Sequence, residues 1–78
     1  MKIVIYSKNE CVYCDNARKL LSDKNKEFKE FKLHKDFSRE LIREVFPTAR
    51  TFPIIVIDEK YIGGYTNLEE IAKGWNHD

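Results

Sequence analysis

Cysteine, proline and glycine are scarce in this sequence: its 78 residues include two cysteines, two prolines and three glycines. The two cysteines, Cys11 and Cys14, are separated by two residues, and a disulfide between them would close too short a loop to stabilise a fold. The fold must therefore come from a packed sheet and helices, and 42% hydrophobic residues are enough for one small core. We expect a single domain over residues 1–78.

Long apolar runs and an excess of charge of one sign are also absent. The longest apolar runs are too short to cross a bilayer, and Met1 and Lys2 lead directly into Ile3 without a signal-peptide cleavage site. Fourteen basic and thirteen acidic residues give a net charge of +1, which argues against nucleic acid as a partner. We expect a cytoplasmic protein that binds neither nucleic acid nor membrane. In that reducing compartment cysteines are more often catalytic than structural.

The hydrophobic pattern predicts three elements in the first half of the chain. Nearly continuous β-branched residues predict a buried strand over Lys2 to Ser7, and apolar residues at helical spacing predict a helix from Cys11 to about Asn25. Alternation over Glu27 to Leu33 predicts a half-exposed edge strand with charged residues on its outer face. Strand, helix and strand in close succession indicate a right-handed βαβ unit with parallel strands.

The second half is predicted to add a helix, a hairpin and a last helix. Asp36 is the expected N-cap of the second helix, and Pro47 ends that helix. The apolar run Ile54 to Ile57 predicts another buried strand, which turns back into a short strand at Tyr61. The complete order is β-α-β-α-β-β-α, without repeats or low-complexity tracts.

Both later helices carry an apolar side. In the second helix the residues expected to be buried are Phe37, Leu41, Ile42 and Val45. In the last helix they are Leu68, Ile71, Ala72 and Trp75. Thr66 at the N-cap and Glu69 three residues later form the expected capping box of this helix.

The segment Cys11-Val12-Tyr13-Cys14 follows a predicted strand and opens a predicted helix. A thiol at a helix N-terminus faces unpaired backbone N–H groups and the positive end of the helix dipole, which favour the thiolate. Cys11 is therefore the expected nucleophile, with a pKa below that of an ordinary thiol, and Cys14 would attack the mixed disulfide that Cys11 forms. A structural disulfide or half of a zinc site is the alternative, but this context favours a redox pair.

With these residues in view, the chain resembles a small dithiol glutaredoxin of the phage or bacterial type. Four landmarks carry the resemblance along essentially the whole chain: Lys8, Cys11-Val12-Tyr13-Cys14, Thr51-Phe52-Pro53 and Gly63-Gly64-Tyr65-Thr66-Asn67. The resemblance implies an α/β domain of the thioredoxin-like fold, with a four-stranded mixed sheet flanked by three helices. It implies a thiol–disulfide oxidoreductase with Cys11 and Cys14 as catalytic residues, a cis Pro53 and no bound metal.

Glutathione is the reducing cosubstrate that the resemblance implies, without any bound cofactor. Its two carboxylates require cations or N–H donors, and the expected positions are Lys8 for the glycine carboxylate and Thr66 and Asn67 for the γ-glutamyl carboxylate. Tyr13 would line the groove beside the sulfur, although its place on the helical stripe also suits a core residue. The other expected substrate-binding residues are Thr51, Phe52 and Pro53. The resemblance implies a monomer whose protein partners carry disulfides or glutathione adducts, with ribonucleotide reductase as a frequent client of the family.

Four positions depart from the family pattern. Val12 stands where most dithiol glutaredoxins have proline. Thr66 and Asn67 replace acidic or serine residues that usually meet the glutathione amino group. A cationic or amide position of the second helix aligns with Glu40, for which Arg39 or Arg43 is a possible substitute.

Two other functions fit the same sequence. One is a glutaredoxin-like redoxin whose electron donor is thioredoxin reductase and not glutathione. Lys8 and the Thr66-Asn67 pair nevertheless favour a glutathione groove. The other is a metal or iron–sulfur binding module in which His34 or His77 joins the two cysteines. The absence of a second Cys-x-x-Cys makes this module less favoured.

Overall fold

The structure is a computed structural model and describes residues 1–75. Within these residues the chain forms four strands, three helices and a final 3-10 turn, in the predicted order. Their bounds are β1 Ile3–Ser7, α1 Val12–Asp23, β2 Lys29–Lys32, α2 Arg39–Val45, β3 Ile54–Ile57, β4 Lys60–Gly63, α3 Tyr65–Ala72 and the turn Lys73–Trp75.

The four strands form one mixed sheet in the order β2-β1-β3-β4. β1 runs parallel to β2, with Val4 opposite Lys29, and antiparallel to β3, with Ile5 opposite Ile55. The parallel pair and the connecting α1 are the predicted βαβ unit. The sheet is therefore the predicted four-stranded mixed sheet, with β2 at an edge.

Two apolar clusters lie on opposite faces of the sheet. The larger cluster joins the sheet to α1 and α3 through Ile3, Ile5, Ala17, Leu21, Ile55 and Leu68. The smaller cluster contains Leu33, Phe37, Ile42 and Ile54, and Ile42 is its residue from α2. Because Ile54 and Ile55 are neighbours on β3, their side chains point to opposite faces. The central strands are thus buried on both sides, as the continuous β-branched runs predicted.

A two-residue turn connects β3 to β4, where Ile57 pairs with Lys60. Both turn residues, Asp58 and Glu59, have positive φ values, 51° and 67°. This conformation matches the twist of the flanking strands and is the one that tight hairpins favour. The predicted hairpin at this position is confirmed.

The helix α1 ends where the sequence predicted. Lys24 is the C-cap, and Asn25 follows it with a left-handed φ of 58°. The N–H of Asn25 donates to the carbonyl of Ser22 at 3.0 Å, which satisfies one of the free carbonyls of the last turn.

The helix α2 differs from its prediction at the cap and on its apolar side. Ser38 is the N-cap, because its hydroxyl accepts the N–H of Leu41 at 3.1 Å. The carboxylate of Asp36 instead accepts the N–H of Lys32 at 2.8 Å. Ile42 is buried as predicted, but Leu41 and Val45 are 51% and 54% exposed. Since Leu41 and Val45 are four residues apart, they share the outer face of the helix, so their predicted burial is wrong.

The edge strand β2 is shorter than the predicted Glu27 to Leu33, and its charged face is not fully solvated. Glu30 is only 19% exposed in its side chain. Its carboxylate accepts a hydrogen bond of 2.6 Å from the hydroxyl of Ser7, which is completely buried, and pairs with the guanidinium of Arg18. Glu30 therefore links β2 to β1 and α1, whereas Phe31 is 37% exposed.

In the described part of the chain, residues 1–75, no helix is long and apolar enough to cross a membrane.

Candidate active site

Cys11 lies at the junction of the loop after β1 and the first turn of α1. It is the N-cap of α1, with extended backbone angles of φ −129° and ψ 104°. A disulfide joins it to Cys14, and the two Cα atoms are 5.2 Å apart. Cys14 is completely buried, whereas Cys11 is partly exposed. Only Cys11 is therefore accessible to a substrate from solvent.

The sulfur of Cys11 is placed where a negative charge is stabilised. The backbone N–H of Cys14 donates to the Sγ of Cys11 at 3.2 Å. This N–H belongs to the first turn of α1, whose donors have no partner within the helix and whose dipole is positive. The geometry thus provides the two interactions that favour a thiolate on Cys11 in the reduced protein.

The segment Thr51-Phe52-Pro53 faces the cysteine pair from the start of β3. The Phe52-Pro53 peptide bond is cis, as the resemblance implied, and Pro53 is buried. The carbonyl oxygen of Phe52 lies 3.8 Å from the Sγ of Cys11. The backbone of Phe52 therefore lies beside the reactive sulfur, where an extended peptide could pair with it.

A groove of about 410 Å³ runs between Tyr13, the Thr51-Phe52 segment and the start of α3. Five of the predicted binding residues line it together: Tyr13, Thr51, Phe52, Thr66 and Asn67. Tyr13 is 59% exposed and stacks on Tyr65 with ring centroids 5.8 Å apart. The alternative of a core position for Tyr13 is therefore excluded.

The start of α3 lies two residues earlier than predicted, with the N-cap at Gly64 instead of Thr66. Gly64 is the N-cap, and the side-chain oxygen of Asn67 at N3 accepts the N–H of Gly64 at 3.1 Å. Thr66 and Glu69 therefore do not form the expected capping box. The cause is the Gly63-Gly64 pair, which ends β4 and allows the helix to begin at Tyr65. Asn67 combines a capping contact with a position on the groove.

A second cavity, of about 360 Å³, contains Cys11 and has a basic lining. Lys8 lines it, and the Nζ of Lys8 lies 5.8 Å from the centre of the Phe52 ring. Arg39 and Arg50 line the same cavity, with Glu10 as a neighbouring carboxylate. Of the two arginines considered as substitutes for Glu40, Arg39 reaches this cavity and Arg43 does not.

Sequence reasoning did not identify Arg50 and Tyr65 as site residues. Arg50 directly precedes the Thr51-Phe52-Pro53 landmark, and Tyr65 lies within the Gly63-to-Asn67 landmark. Position within a landmark or next to one was thus the available signal, but neither residue type is tied to a particular role.

Among residues 1–75, no three histidine, cysteine, aspartate or glutamate residues are grouped so that they could hold a metal ion. His34 thus does not join the cysteine pair in a metal site. His77, the other histidine considered, lies outside the described residues.

The sheet order, the Cys-x-x-Cys at a helix start and the cis-proline beside it define a thioredoxin-like thiol–disulfide oxidoreductase. The family model for glutaredoxin matches residues 3–62. The chain therefore belongs to the glutaredoxin family, whose members reduce disulfide substrates and generally use glutathione.

Individual relatives agree with this assignment. Glutaredoxin 3 of Escherichia coli (strain K12) is 37% identical over 68 residues, which cover 85% of this chain and 80% of that protein. Glutaredoxin 1 of Salmonella typhimurium is 32% identical, with 94% of this chain and 92% of that protein covered. The crystal structure of Glutaredoxin 1 from Francisella tularensis, complexed with cacodylate, has a TM-score of 0.82 at 29% identity. That match covers 94% of this chain and 93% of the other and confirms the predicted fold.

Proposed function

We propose that this glutaredoxin is a glutathione-dependent reductase of protein disulfides and of glutathione mixed disulfides. The observation that carries the proposal is the pair of adjoining cavities, which share Tyr13, Thr51 and Phe52. One of the two contains the accessible Cys11. A tripeptide thiol bound across them would present its sulfur to Cys11 while its two carboxylates point to opposite ends.

The ends of the paired cavities suit those carboxylates. Lys8 and Arg39 supply positive charge for the glycine carboxylate at one end. The first turn of α3, at Thr66 and Asn67, offers backbone N–H groups for the γ-glutamyl carboxylate at the other. The backbone of Phe52 would pair with the cysteinyl residue between them.

The chemistry is a sequence of thiol–disulfide exchanges in which each bond formed replaces one broken. The Cys11 thiolate attacks one sulfur of a protein disulfide, and the other substrate sulfur leaves as a thiolate. Cys14, once deprotonated, attacks the Sγ of Cys11, releases the reduced substrate and leaves the Cys11–Cys14 disulfide. Two glutathiones then reduce this disulfide and are themselves oxidised to glutathione disulfide. A substrate that is a glutathione adduct needs only Cys11.

The test compares two reducing systems with one substrate, a small glutathione mixed disulfide. One system contains glutathione and glutathione reductase, and the other contains thioredoxin reductase, both with NADPH. We expect turnover in the system with glutathione and glutathione reductase and none in the system with thioredoxin reductase. Turnover only with thioredoxin reductase would keep both cysteine roles and overturn the glutathione groove, in favour of the redoxin alternative.

We further propose that this protein is a cytoplasmic monomer and that ribonucleotide reductase is one of its substrates. The client is tested by replacing the chemical reductant of a ribonucleotide reductase assay with this protein and glutathione. Failure to support deoxyribonucleotide formation would remove this client from the proposal without affecting the exchange chemistry.

A further inference from the structure

A second groove lies beside the Cys11 cavity, between α2 and the segment that leads to Pro53. Its apolar lining comes from Ile42, Phe46, Pro47, Ala49 and Ile54. The groove has a volume of about 340 Å³, which lies within the usual range of ligand sites, roughly 300–1,000 Å³. It can therefore accept an apolar side chain together with the backbone that carries it.

Three arginines surround this apolar lining: Arg39, Arg43 and Arg50. All three side chains are exposed. Within residues 1–75 the ion pairs of basic side chains involve Arg18, Lys19 and Lys73, so none of these three guanidinium groups has a carboxylate partner. The two carboxylates of α2, Glu40 and Glu44, do not line the groove. The groove is thus apolar at its base and positive at its rim.

The arginine-rimmed groove is continuous with the reactive sulfur. Arg39, Arg50, Thr51 and Phe52 line both this groove and the Cys11 cavity. Arg43 lines only the groove. A polypeptide whose cysteine reaches Cys11 along the backbone of Phe52 can therefore continue over the groove without leaving the protein surface.

We propose that this groove binds an acidic segment of the protein substrate, next in sequence to the cysteine that Cys11 attacks. An apolar side chain of the segment would occupy the base, and its aspartate or glutamate side chains would pair with the arginines. Guanidinium groups bind carboxylates in a planar, two-pronged geometry, and exposed charges at a rim accelerate association with an oppositely charged partner. The inference rests on the proposed function only in requiring Cys11 as the attacking sulfur.

The test uses single-turnover oxidation of the fully reduced protein, which needs no glutathione. Two synthetic peptides carry the same internal disulfide, flanked by Glu-Leu-Asp in one and by Gln-Leu-Asn in the other. We expect the second-order rate constant for the acidic peptide to be about fivefold higher at low ionic strength. The ratio should approach one in 1 M salt, where the screening length is only about 3 Å.

Arg43→Glu is the informative variant, because Arg43 lines the groove and not the Cys11 cavity. It should reduce the acidic-to-neutral ratio to about one or below, whereas Arg43→Lys should keep most of it. Lys60→Glu makes the same change of charge at the start of β4, at a residue that lines neither the groove nor the Cys11 cavity, and should leave the ratio unchanged. The neutral peptide shows in each case that the protein is folded and reactive.

Two results would overturn the proposal. One is an equal rate for both peptides with the unaltered protein. The other is a preference for the acidic peptide that Arg43→Glu and Lys60→Glu affect equally. Failure of the glutathione system with a small mixed disulfide would instead reject the glutathione-dependent function and leave the peptide ratio interpretable.

Discussion

The side-chain amide of Asn67 occupies the space that a Cβ atom on Gly63 would need. Gly63 also has a φ of +133°, a conformation that L side chains rarely adopt. Gly63→Ala is therefore expected to displace Asn67 from its hydrogen bond with Gly64 and to strain the backbone. We expect the free energy of unfolding, measured by urea denaturation, to fall by about 2 kcal/mol or more.

Gly64→Ala is the matched control for this prediction. A Cβ on Gly64 would lie 3.6 Å from the carbonyl oxygen of Pro53, which is an ordinary contact. The expected loss is under about 1 kcal/mol, the usual cost of alanine at an N-cap. Equal losses for the two variants would contradict the steric role assigned to Asn67.

Asn67→Asp should stabilise the protein, whereas Asn67→Ala should destabilise it. α3 has no acidic residue in its first turn, so a carboxylate at position 67 would interact favourably with the helix dipole, by about 0.3–1 kcal/mol. Alanine removes the acceptor of the Gly64 N–H and should cost about 1 kcal/mol. Urea denaturation at low and high salt measures both changes. A gain for Asn67→Asp that does not decrease with salt would argue against the dipole as its cause.

The two sides of α2 should respond differently to truncation. Ile42 is 6% exposed and packs with Leu33 and Ile54, so Ile42→Ala should lower the free energy of unfolding by about 2–4 kcal/mol. Val45 is 54% exposed, and Val45→Ala should cost less than about 1 kcal/mol. A loss for Val45→Ala as large as that for Ile42→Ala would restore the sequence-based prediction that Val45 is buried.

The strands could be predicted because the residues that define each strand are consecutive in the sequence. The run Ile54 to Ile57 is β-branched without interruption, and it is a central strand with neighbours on both sides. The cap of α2 could not be predicted in the same way, since Asp36 and Ser38 are both good N-cap residues. The choice depends on the N–H of Lys32, which donates a hydrogen bond to the Asp36 carboxylate. Ser38 is therefore the residue that caps the helix.

The site was predictable where its residues are consecutive in the sequence. The cysteine pair and the Thr51-Phe52-Pro53 segment are such cases. Arg39 and Arg50 are eleven positions apart and line one cavity only because α2 folds back beside the segment before β3. No sequence periodicity or spacing predicts that Arg39 and Arg50 come close together, because their proximity depends on the packing of α2 against the sheet.

The buried hydroxyl of Ser7 should be energetically coupled to Glu30. It donates to the Glu30 carboxylate at 2.6 Å, and Arg18 pairs with the same oxygen atom. Ser7→Ala should lower the free energy of unfolding by about 1.5 kcal/mol, as expected for a hydrogen bond to a charged group. In a Glu30→Ala background the same substitution should cost clearly less. Additive losses in this double-mutant cycle would show that the two side chains do not interact.

The difference in exposure between Cys11 and Cys14 predicts different effects of their replacement. Cys11 is partly exposed and Cys14 completely buried, so Cys11 alone can attack a substrate directly. Cys11→Ser should abolish all thiol–disulfide exchange. Cys14→Ser should keep the removal of glutathione from a small mixed disulfide, because glutathione can attack the Cys11 adduct in place of Cys14. It should lose the reduction of protein disulfides, measured with insulin as the substrate.

Mass spectrometry distinguishes these roles without depending on turnover. Cys14→Ser incubated with a protein disulfide should accumulate a covalent adduct at Cys11, because no second thiol within residues 1–75 can displace the substrate. Dithiothreitol added afterwards should release that adduct and return Cys11 to the free thiol. If Cys14→Ser lost both activities equally, or if adducts formed on Cys14 in Cys11→Ser, the assignment of attacking and resolving sulfur would have to be reversed or abandoned.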